Sequence, residues 1–472
     1  MAYTNNNGQT RIGVRIVPQV NASSLWNSIY SVYNADAVGS SSLKTSLFAA
    51  YNGESNANDS FGSNNGTPQG GLTYGTGKIG NAFQFNGTNA YVDYSADAFK
   101  FTSNYSVSFW YNASSTSFQS LIDCYSNVGG KRGWAIQNTG TAINFKTFKD
   151  NVTYSDLNYT ISTNTWYHVS VVRKSGVSSK IYLNGALVVS DSVTTDQNYL
   201  SNYSLIGAIN DNGTLYNYTS GKLDAVNVWN KELTQSEITE LYNSGNGAQY
   251  IGDNFYKPTT NDVLGTNNGT AQGGLTYGVG KVGTAFVGNG TNAYITLANN
   301  SFKFTNSQSF SISTWVNITN SNVSNIIFSS WLFSGSQGYG WLLRTSPYSS
   351  TQCNLAFITD WQGGSGTPIP LSVSNAFTIN TWVFVTATRN GSTGVEKIYV
   401  NGSQIATRTL TPNYLYTSNT VYPSILAQKY DSSSVSGYLN GKIDELNIWT
   451  KELTSTEVTE LYNSGNGKQY PN

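Results

Sequence analysis

The chain has 472 residues and no net charge, with 25 Lys and Arg against 25 Asp and Glu, and charged residues are only 11% of it. That balance leaves no basic face for a phosphate backbone and argues against a nucleic-acid binder. An aromatic content of 14%, including 33 tyrosines, excludes a disordered chain. A single histidine, His168, and two distant cysteines, Cys124 and Cys353, exclude a zinc centre and a disulfide framework.

Residues 1–42 differ from the rest of the chain and read as an N-terminal arm. Residues 10–17 alternate as one compact strand. Apolar residues at 25, 26, 29, 30, 32 and 33 suit a short amphipathic helix. The arm shows no basic segment followed by an apolar one, as a secretory signal would. No stretch of the chain approaches the ~18 apolar residues of a membrane span.

From residue 43 the chain repeats itself. Residues 65–78 return almost unchanged as 268–281. Trp110, Trp134 and Trp166 match Trp315, Trp341 and Trp382. Gly221-Lys-Leu-Asp224 matches Gly441-Lys-Ile-Asp444, and residues 241–247 are identical to 461–467. The offset widens along the chain, so the second copy carries insertions, including residues 359–370. The copies are expected to span 43–249 and 250–472, each the size of one sandwich.

Within a copy the elements read as strands. Tyr105, Val107, Phe109 and Tyr111 alternate onto one face, and residues 166–172 behave alike. Asn184-Gly185 between two apolar runs signals a hairpin, and Asn401-Gly402 repeats it. One helix closes each copy. Thr234-Gln-Ser-Glu237 and Thr454-Ser-Thr-Glu457 are capping boxes, and Gly245 can end the first helix in the left-handed conformation. The fold class expected is all-β: two tandem antiparallel jelly-roll sandwiches, each with a short C-terminal helix, plus the arm.

The ordered set resembles a known family. An aspartate loop at 59–67 precedes Gly80-Asn-Ala-Phe-Gln-Phe-Asn-Gly87 and Tyr91-Val-Asp93. Trp166-Tyr-His-Val169 and Ile181-Tyr-Leu-Asn-Gly185 come next, then Gly221-Lys-Leu-Asp-Ala-Val-Asn-Val-Trp229. Together these look like the laminin-G-like, concanavalin A-like jelly-roll domain, present twice. The resemblance implies carbohydrate or protein binding and one structural Ca²⁺ per sandwich. Its pattern implies ligands at Asp59, Asn64, Asn65 and Asp224, and at Asp262, Asn267, Asn268 and Asp444. Ca²⁺ takes six to eight oxygens, which such a loop can turn inward. The alternative is an Asx turn plus a strand aspartate in a salt bridge. Two positions depart between copies: Phe85 corresponds to Gly288, and His168 to Phe384. The second exchange marks His168 as a packing residue.

Three functions are open to a chain of this kind. A glucanase of this fold would carry paired carboxylates in a Glu-x-Asp-x-x-Glu run. The chain has none, so the expectation is a non-enzyme, with a glycoside hydrolase as the remote alternative. A lectin would stack sugars on exposed aromatics. Trp134, Trp331 and Trp361 lie near or in Gly- and Ser-rich loops, with Trp361 in the insertion; Trp134 is shared with the second copy, which also suits the core. The third resemblance is compositional. Tandem sandwiches rich in Asn, Ser, Thr, Gly and Tyr resemble the fibre, decoration and adhesin proteins of tailed bacteriophages. The expectation is a virion protein docked to other virion proteins through residues 1–42 and binding host-surface glycan or protein. Homo-oligomerisation is left open, and a bacterial surface or secreted lectin is the alternative.

Overall fold

The computed structural model describes residues 2–4, 10–12, 24–94, 98–126, 132–149, 154–192, 203–252, 254–334, 337–359, 370–410 and 420–470. Each copy is a β-sandwich of a seven-stranded and an eight-stranded antiparallel sheet. In the first, the seven-stranded sheet runs Tyr154–Thr160, Ala142–Phe148, Arg132–Asn138, Gln119–Ser126, Ser204–Ile206, Tyr91–Tyr94, Thr67–Gln69. The eight-stranded sheet runs Ala186–Ser190, Ser178–Leu183, Trp166–Lys174, Tyr105–Ala113, Ser220–Trp229, Asn81–Asn86, Thr73–Thr76, with Leu47–Tyr51 also on Ser220–Trp229. The alternating residues named above point between the sheets: Tyr105, Val107, Phe109 and Tyr111 are fully buried with Trp134 and Phe145. Trp166–Lys174 lies inside its sheet, as expected. Among the described residues no helix is long and apolar enough to cross a membrane.

The local devices act as their residues dictate. Thr234 accepts the Glu237 N–H at 3.3 Å while Glu237 accepts the Thr234 N–H at 2.9 Å, and Thr454 with Glu457 repeats this box. The helix ends earlier than Gly245: Asn243 already takes the left-handed C-cap at φ 46°. Asn184 and Gly185 both adopt positive φ, 52° and 81°, the pair of angles a two-residue hairpin requires.

The N-terminal arm needs the largest correction. Residues 24–26 form a single 3-10 turn and Ile29–Tyr33 is a strand, not a helix. That strand pairs with Asn440–Trp449, the last strand of the second sandwich. It fills the place that Leu47–Tyr51 fills on Ser220–Trp229 in the first. The two segments share a sequence, Ser24-Leu25 … Tyr33-Asn34 against Ser42-Leu43 … Tyr51-Asn52. They also share contacts. Trp449 Nε1–H donates to Leu25 O at 2.9 Å and Trp229 Nε1–H to Leu43 O at 2.7 Å. The Tyr33 hydroxyl donates to Asn267 O and the Tyr51 hydroxyl to Asn64 O.

The first sandwich is therefore inserted into the second. The chain lays down the second sandwich's opening strand, builds the whole first sandwich from about residue 43 to 251, and returns. Asp36–Val38 leaves and Asn254–Pro258 comes back, the two paired antiparallel, and the Thr259 N–H closes onto Ala35 O at 2.9 Å. The boundaries 1–42 and 250–472 are thus replaced by a second sandwich made of residues 25–35 with 259–470. Leu25, Tyr33 and Ala35 are core residues there, so the apolar set of the arm is buried by its own chain and residues 24–38 are not a free anchor. Of residues 1–23, Ala2–Thr4 and Thr10–Ile12 pair with each other. The expected strand over 10–17 otherwise lies outside the described residues.

Substitutions between the copies are compensated in place. Phe85 packs over Gly207. In the second copy Gly288 stands at the Phe85 position and the buried Leu426 and Leu439 occupy the places of Gly207 and Thr219. Trp229 stacks on Phe255 at 5.9 Å, and Trp449 stacks on Trp26 at 6.2 Å instead.

Candidate ligand-binding face

The seven-stranded sheet of the first sandwich has a core face and an outer face, fixed by the two-residue period of its strands. Ile122, Cys124, Trp134, Ile136, Ile143, Phe145 and Leu157 point into the core. The residues between them point out, and the register aligns them in rows across the strands. One row is Tyr154, Phe148, Gly133 and Tyr125. Its rings touch: Tyr154 to Phe148 at 5.6 Å and Phe148 to Tyr125 at 5.4 Å. Gly133 contributes no side chain, which lets the rings close over it. Tyr154 is 46% exposed while Phe148 and Tyr125 are nearly buried. The hairpin of Ile209–Asp211 and Thr214–Tyr216 flanks the row, with Ile209 against Tyr125 and Phe148.

The next row is Asp156, Lys146, Ala135 and Asp123. Lys146 and Asp156 form an ion pair at 3.3 Å, and both are partly exposed. Asp123 is fully buried; Tyr125 N–H donates to it at 3.0 Å. Burial pushes the Asp123 carboxyl well above the usual carboxylate range, and the nearby Asp211 adds to the rise. Asp211 in turn accepts the Tyr216 hydroxyl at 3.3 Å. The third row is amides: Asn158, Asn144 and Gln137. Asn144 Nδ2 donates to Asn158 Oδ1 at 2.9 Å and to Asp156 Oδ1 at 2.5 Å. Its buried Oδ1 has no partner. An aromatic shelf beside carboxylate and amide groups at strand spacing suits a ligand with apolar ring faces and hydroxyl edges.

The aromatic candidates taken from the sequence fall elsewhere. Trp134 is fully buried between the sheets and donates Nε1–H to Phe99 O at 2.9 Å, so it offers no ring to a ligand. Trp331 is 3% exposed. It stands at the Tyr125 position of the second copy, in a small apolar cluster with Ile326, Leu342 and Ile358 on that sheet's outer face. The strand holding Ile358 leads into residues 360–369, and Trp361 lies outside the described residues. Sequence reasoning misses the Tyr154 row. Its signal is in Tyr154-Ser-Asp-Leu-Asn-Tyr-Thr160, where the non-core positions carry Tyr, Asp and Asn.

Of the expected calcium ligands, Asp59, Asn64 and Asn65 meet in one loop, whereas Asp224 bonds the turn at 78–79. Asp59 Oδ1 accepts the N–H of Ala50 and of Phe61, and Oδ2 accepts that of Asn64. Asn65 Oδ1 accepts the Asp59 N–H. Asp224 Oδ2 accepts Lys78 and Ile79 N–H at 2.7 and 2.8 Å. The second copy repeats both arrangements: Asp262 accepts from Val32, Leu264 and Asn267, and Asp444 from Lys281 and Val282. Asn267 Nδ2 donates to Ser31 Oγ, and Asn268 is exposed. Among the described residues no three His, Cys, Asp or Glu side chains come together. Backbone N–H groups thus hold Asp59 and Asp262 at both carboxylate oxygens, and Asp224 and Asp444 at Oδ2. Asp59 and Asp262 tie their loops to the opening strands, as an Asx turn does, and Asp224 and Asp444 tie the last strands to the turns at 78–79 and 281–282.

His168 is likewise a packing group. Its Nε2 lies 2.8 Å from Ser108 Oγ and its ring meets Trp110 and Tyr242. Burial pulls its pKa down to about 3. Phe384 makes the matching contacts to Trp315 and Tyr462.

Comparison with known proteins agrees with this architecture. A family model described as the concanavalin A-like lectin/glucanases superfamily matches residues 86–239 and 289–459. The chain belongs to that superfamily. The matched stretches take in both sandwiches of this superfamily member but not the opening strands. No curated protein sequence matches the chain. Among solved structures it is similar to domain 4 of AbnA, an extracellular arabinanase from Geobacillus stearothermophilus in complex with arabinotriose, at 21% identity, TM-score 0.30, and coverage of 43% of this chain and 92% of that one. It is also similar to the binding domain of botulinum neurotoxin serotype C1, at 13% identity, TM-score 0.37, and coverage of 89% and 98%.

Proposed function

We propose that this protein is a non-catalytic glycan-binding protein that holds an extended sugar chain on the outer face of its first sandwich. The observation that carries this is the exposed Tyr154 ring, at the edge of the Tyr154–Phe148–Tyr125 row, beside the exposed Asp156 and Asn158 groups. Sugar rings would lie on the exposed Tyr154 edge, and hydroxyls would take the amide and carboxylate partners. The absence of a Glu-x-Asp-x-x-Glu run supports a binder over a hydrolase. A glycan array tests it. The full chain should select neutral oligosaccharides, and Tyr154→Ala should weaken binding about tenfold or more, the factor that ~1.4 kcal/mol of lost contact implies. An array on which wild type and Tyr154→Ala behave alike would overturn the assignment.

The wider reading is an adhesive or structural protein of a bacteriophage virion. It is supported by the Asn-, Ser-, Thr-, Gly- and Tyr-rich composition shared with fibre and decoration proteins. Because the second sandwich takes up residues 24–38, docking to a particle falls to residues 1–23 or to the sandwich surfaces. Mass spectrometry of purified particles tests this: the chain should be found among the virion proteins.

A further inference from the structure

The two sandwiches meet along the free edges of their eight-stranded sheets. Thr73–Thr76 is the edge strand of one and Thr276–Val279 of the other. The Gly80 N–H donates to Tyr277 O across the junction at 3.0 Å. Beside this bond lies a cleft of about 230 Å³. Its walls come from both sandwiches, chiefly Glu54, Asn81, Tyr277, Gly278 and Lys442.

The walls are polar and fixed. Glu54 accepts the Asn81 N–H at 3.0 Å and the Gln249 amide at 2.9 Å, which orients its carboxylate. The other amide atom of Gln249, its Oε1, is buried without a partner. Lys442 comes from the opposite sandwich, and its Nζ is held by Val279 O at 3.1 Å. Burial pushes the Glu54 carboxyl above its usual range, and the Lys442 charge across the cleft partly offsets that rise. The half-buried Tyr277 phenol supplies an aromatic wall. Gly278 keeps the space open: a Cβ there would press on Val287 at 3.2 Å and touch Lys442 Nζ at 3.5 Å, with no positive φ to strain. Carboxylate and the Lys442 ammonium offset each other, and the third charged lining residue, Lys78, turns its ammonium onto the Trp110 ring at 4.9 Å, so the cleft presents no net charge to an ion. What remains is an acceptor, a donor, an amide and one ring.

We propose that this inter-sandwich cleft binds a single neutral sugar ring, at a site separate from the outer face of the first sandwich. The carboxylate of Glu54 and the ammonium of Lys442 would each take hydroxyls from opposite sides, with Tyr277 under the ring. The size admits one ring and no chain, in contrast to the exposed Tyr154 edge of the outer face.

Titration of the full protein with D-glucose, D-galactose, D-mannose and N-acetyl-D-glucosamine, read by ligand-observed NMR, tests it. At least one should bind to wild type. Gly278→Leu, which fills the cleft, and Lys442→Met, which removes the donor, should each weaken that binding at least tenfold. Loss in the two cleft variants, neither of which touches the outer face, separates this site from that one. Lys442→Met decides the matter if Gly278→Leu does not fold. Binding of none of the four sugars, or equal binding by the cleft variants, overturns the proposal.

Discussion

Leu25→Ala and Leu43→Ala make a matched pair of perturbations. Each leucine is fully buried at the start of an opening segment, and each carbonyl accepts a tryptophan Nε1–H from the last strand of a sandwich. Only nine residues separate the two opening segments along the chain, 25–33 and 43–51, yet they serve different sandwiches. Leu25 packs with Trp315, Phe384, Trp449, Leu453 and Leu461. Leu43 packs with Trp229, Leu233, Ile238 and Phe255. Truncating a buried leucine to alanine costs about 2–5 kcal/mol through lost burial and a residual cavity. In a sandwich of this size that lowers the melting temperature by about 4–20 °C. The location of the loss is the informative part. Hydrogen exchange read by mass spectrometry should show Leu25→Ala reducing protection of Asn440–Trp449 and sparing Ser220–Trp229. Leu43→Ala should do the reverse. Protection lost from Ser220–Trp229 in Leu25→Ala, or from neither strand, would refute the inserted arrangement.

The same contacts carry three further expectations. His168 has a folded pKa of about 3 against about 6.5 unfolded, so its stabilising neutral form is fully present above pH 6.5 and its contribution is lost as pH falls towards 3. His168→Phe, the residue the second copy uses, should remove up to about 5 kcal/mol of that acid sensitivity, measured as unfolding free energy against pH. The raised carboxyls Asp123 and Asp224 act in the opposite sense, but in both proteins alike; equal acid profiles for the two proteins would count against a buried neutral histidine. Chelation with EDTA should leave the melting temperature unchanged, because Asp59 and Asp262 already accept backbone N–H donors; a clear drop would restore a metal site. Pulled from residues 24 and 470 in a force spectrometer, the second sandwich should yield first in every trace. Both ends leave it side by side, with Trp26 against Tyr470 at 5.0 Å, and the paired connector shields the insert. Random order of the two steps would contradict that.

Most of the sandwich architecture is legible in the sequence because the copies repeat their turns, caps and tryptophans. Alternation in Tyr105–Ala113, the Asn184-Gly185 hairpin and the Thr234 box each report a local rule that packing did not override. The opening strand reads wrongly as a helix for a physical reason. Leu25, Trp26, Ile29, Tyr30 and Tyr33 recur at helical spacing, and a short apolar run does not itself distinguish a helix from a buried strand. Its match to 42–53 is present as Ser-Leu and Tyr-Asn at equal spacing. Residue type does not decide the role of Asp59. An aspartate in an Asn-rich loop looks the same whether it faces a cation or a ring of amide donors; only the backbone decides. The Tyr154 row needs the sheet register, which lines up Tyr154, Phe148 and Tyr125 from strands of one meander, with Gly133 between the last two.

Ligand held across the outer face of the first sandwich is the central claim. A crystal structure of the protein with the oligosaccharide selected on the array tests it most directly. The predicted result is a sugar ring on Tyr154 with hydroxyls bonded to Asp156 and Asn158. Density for the oligosaccharide at residues 360–369 of the second sandwich, with the Tyr154 row empty, would contradict it.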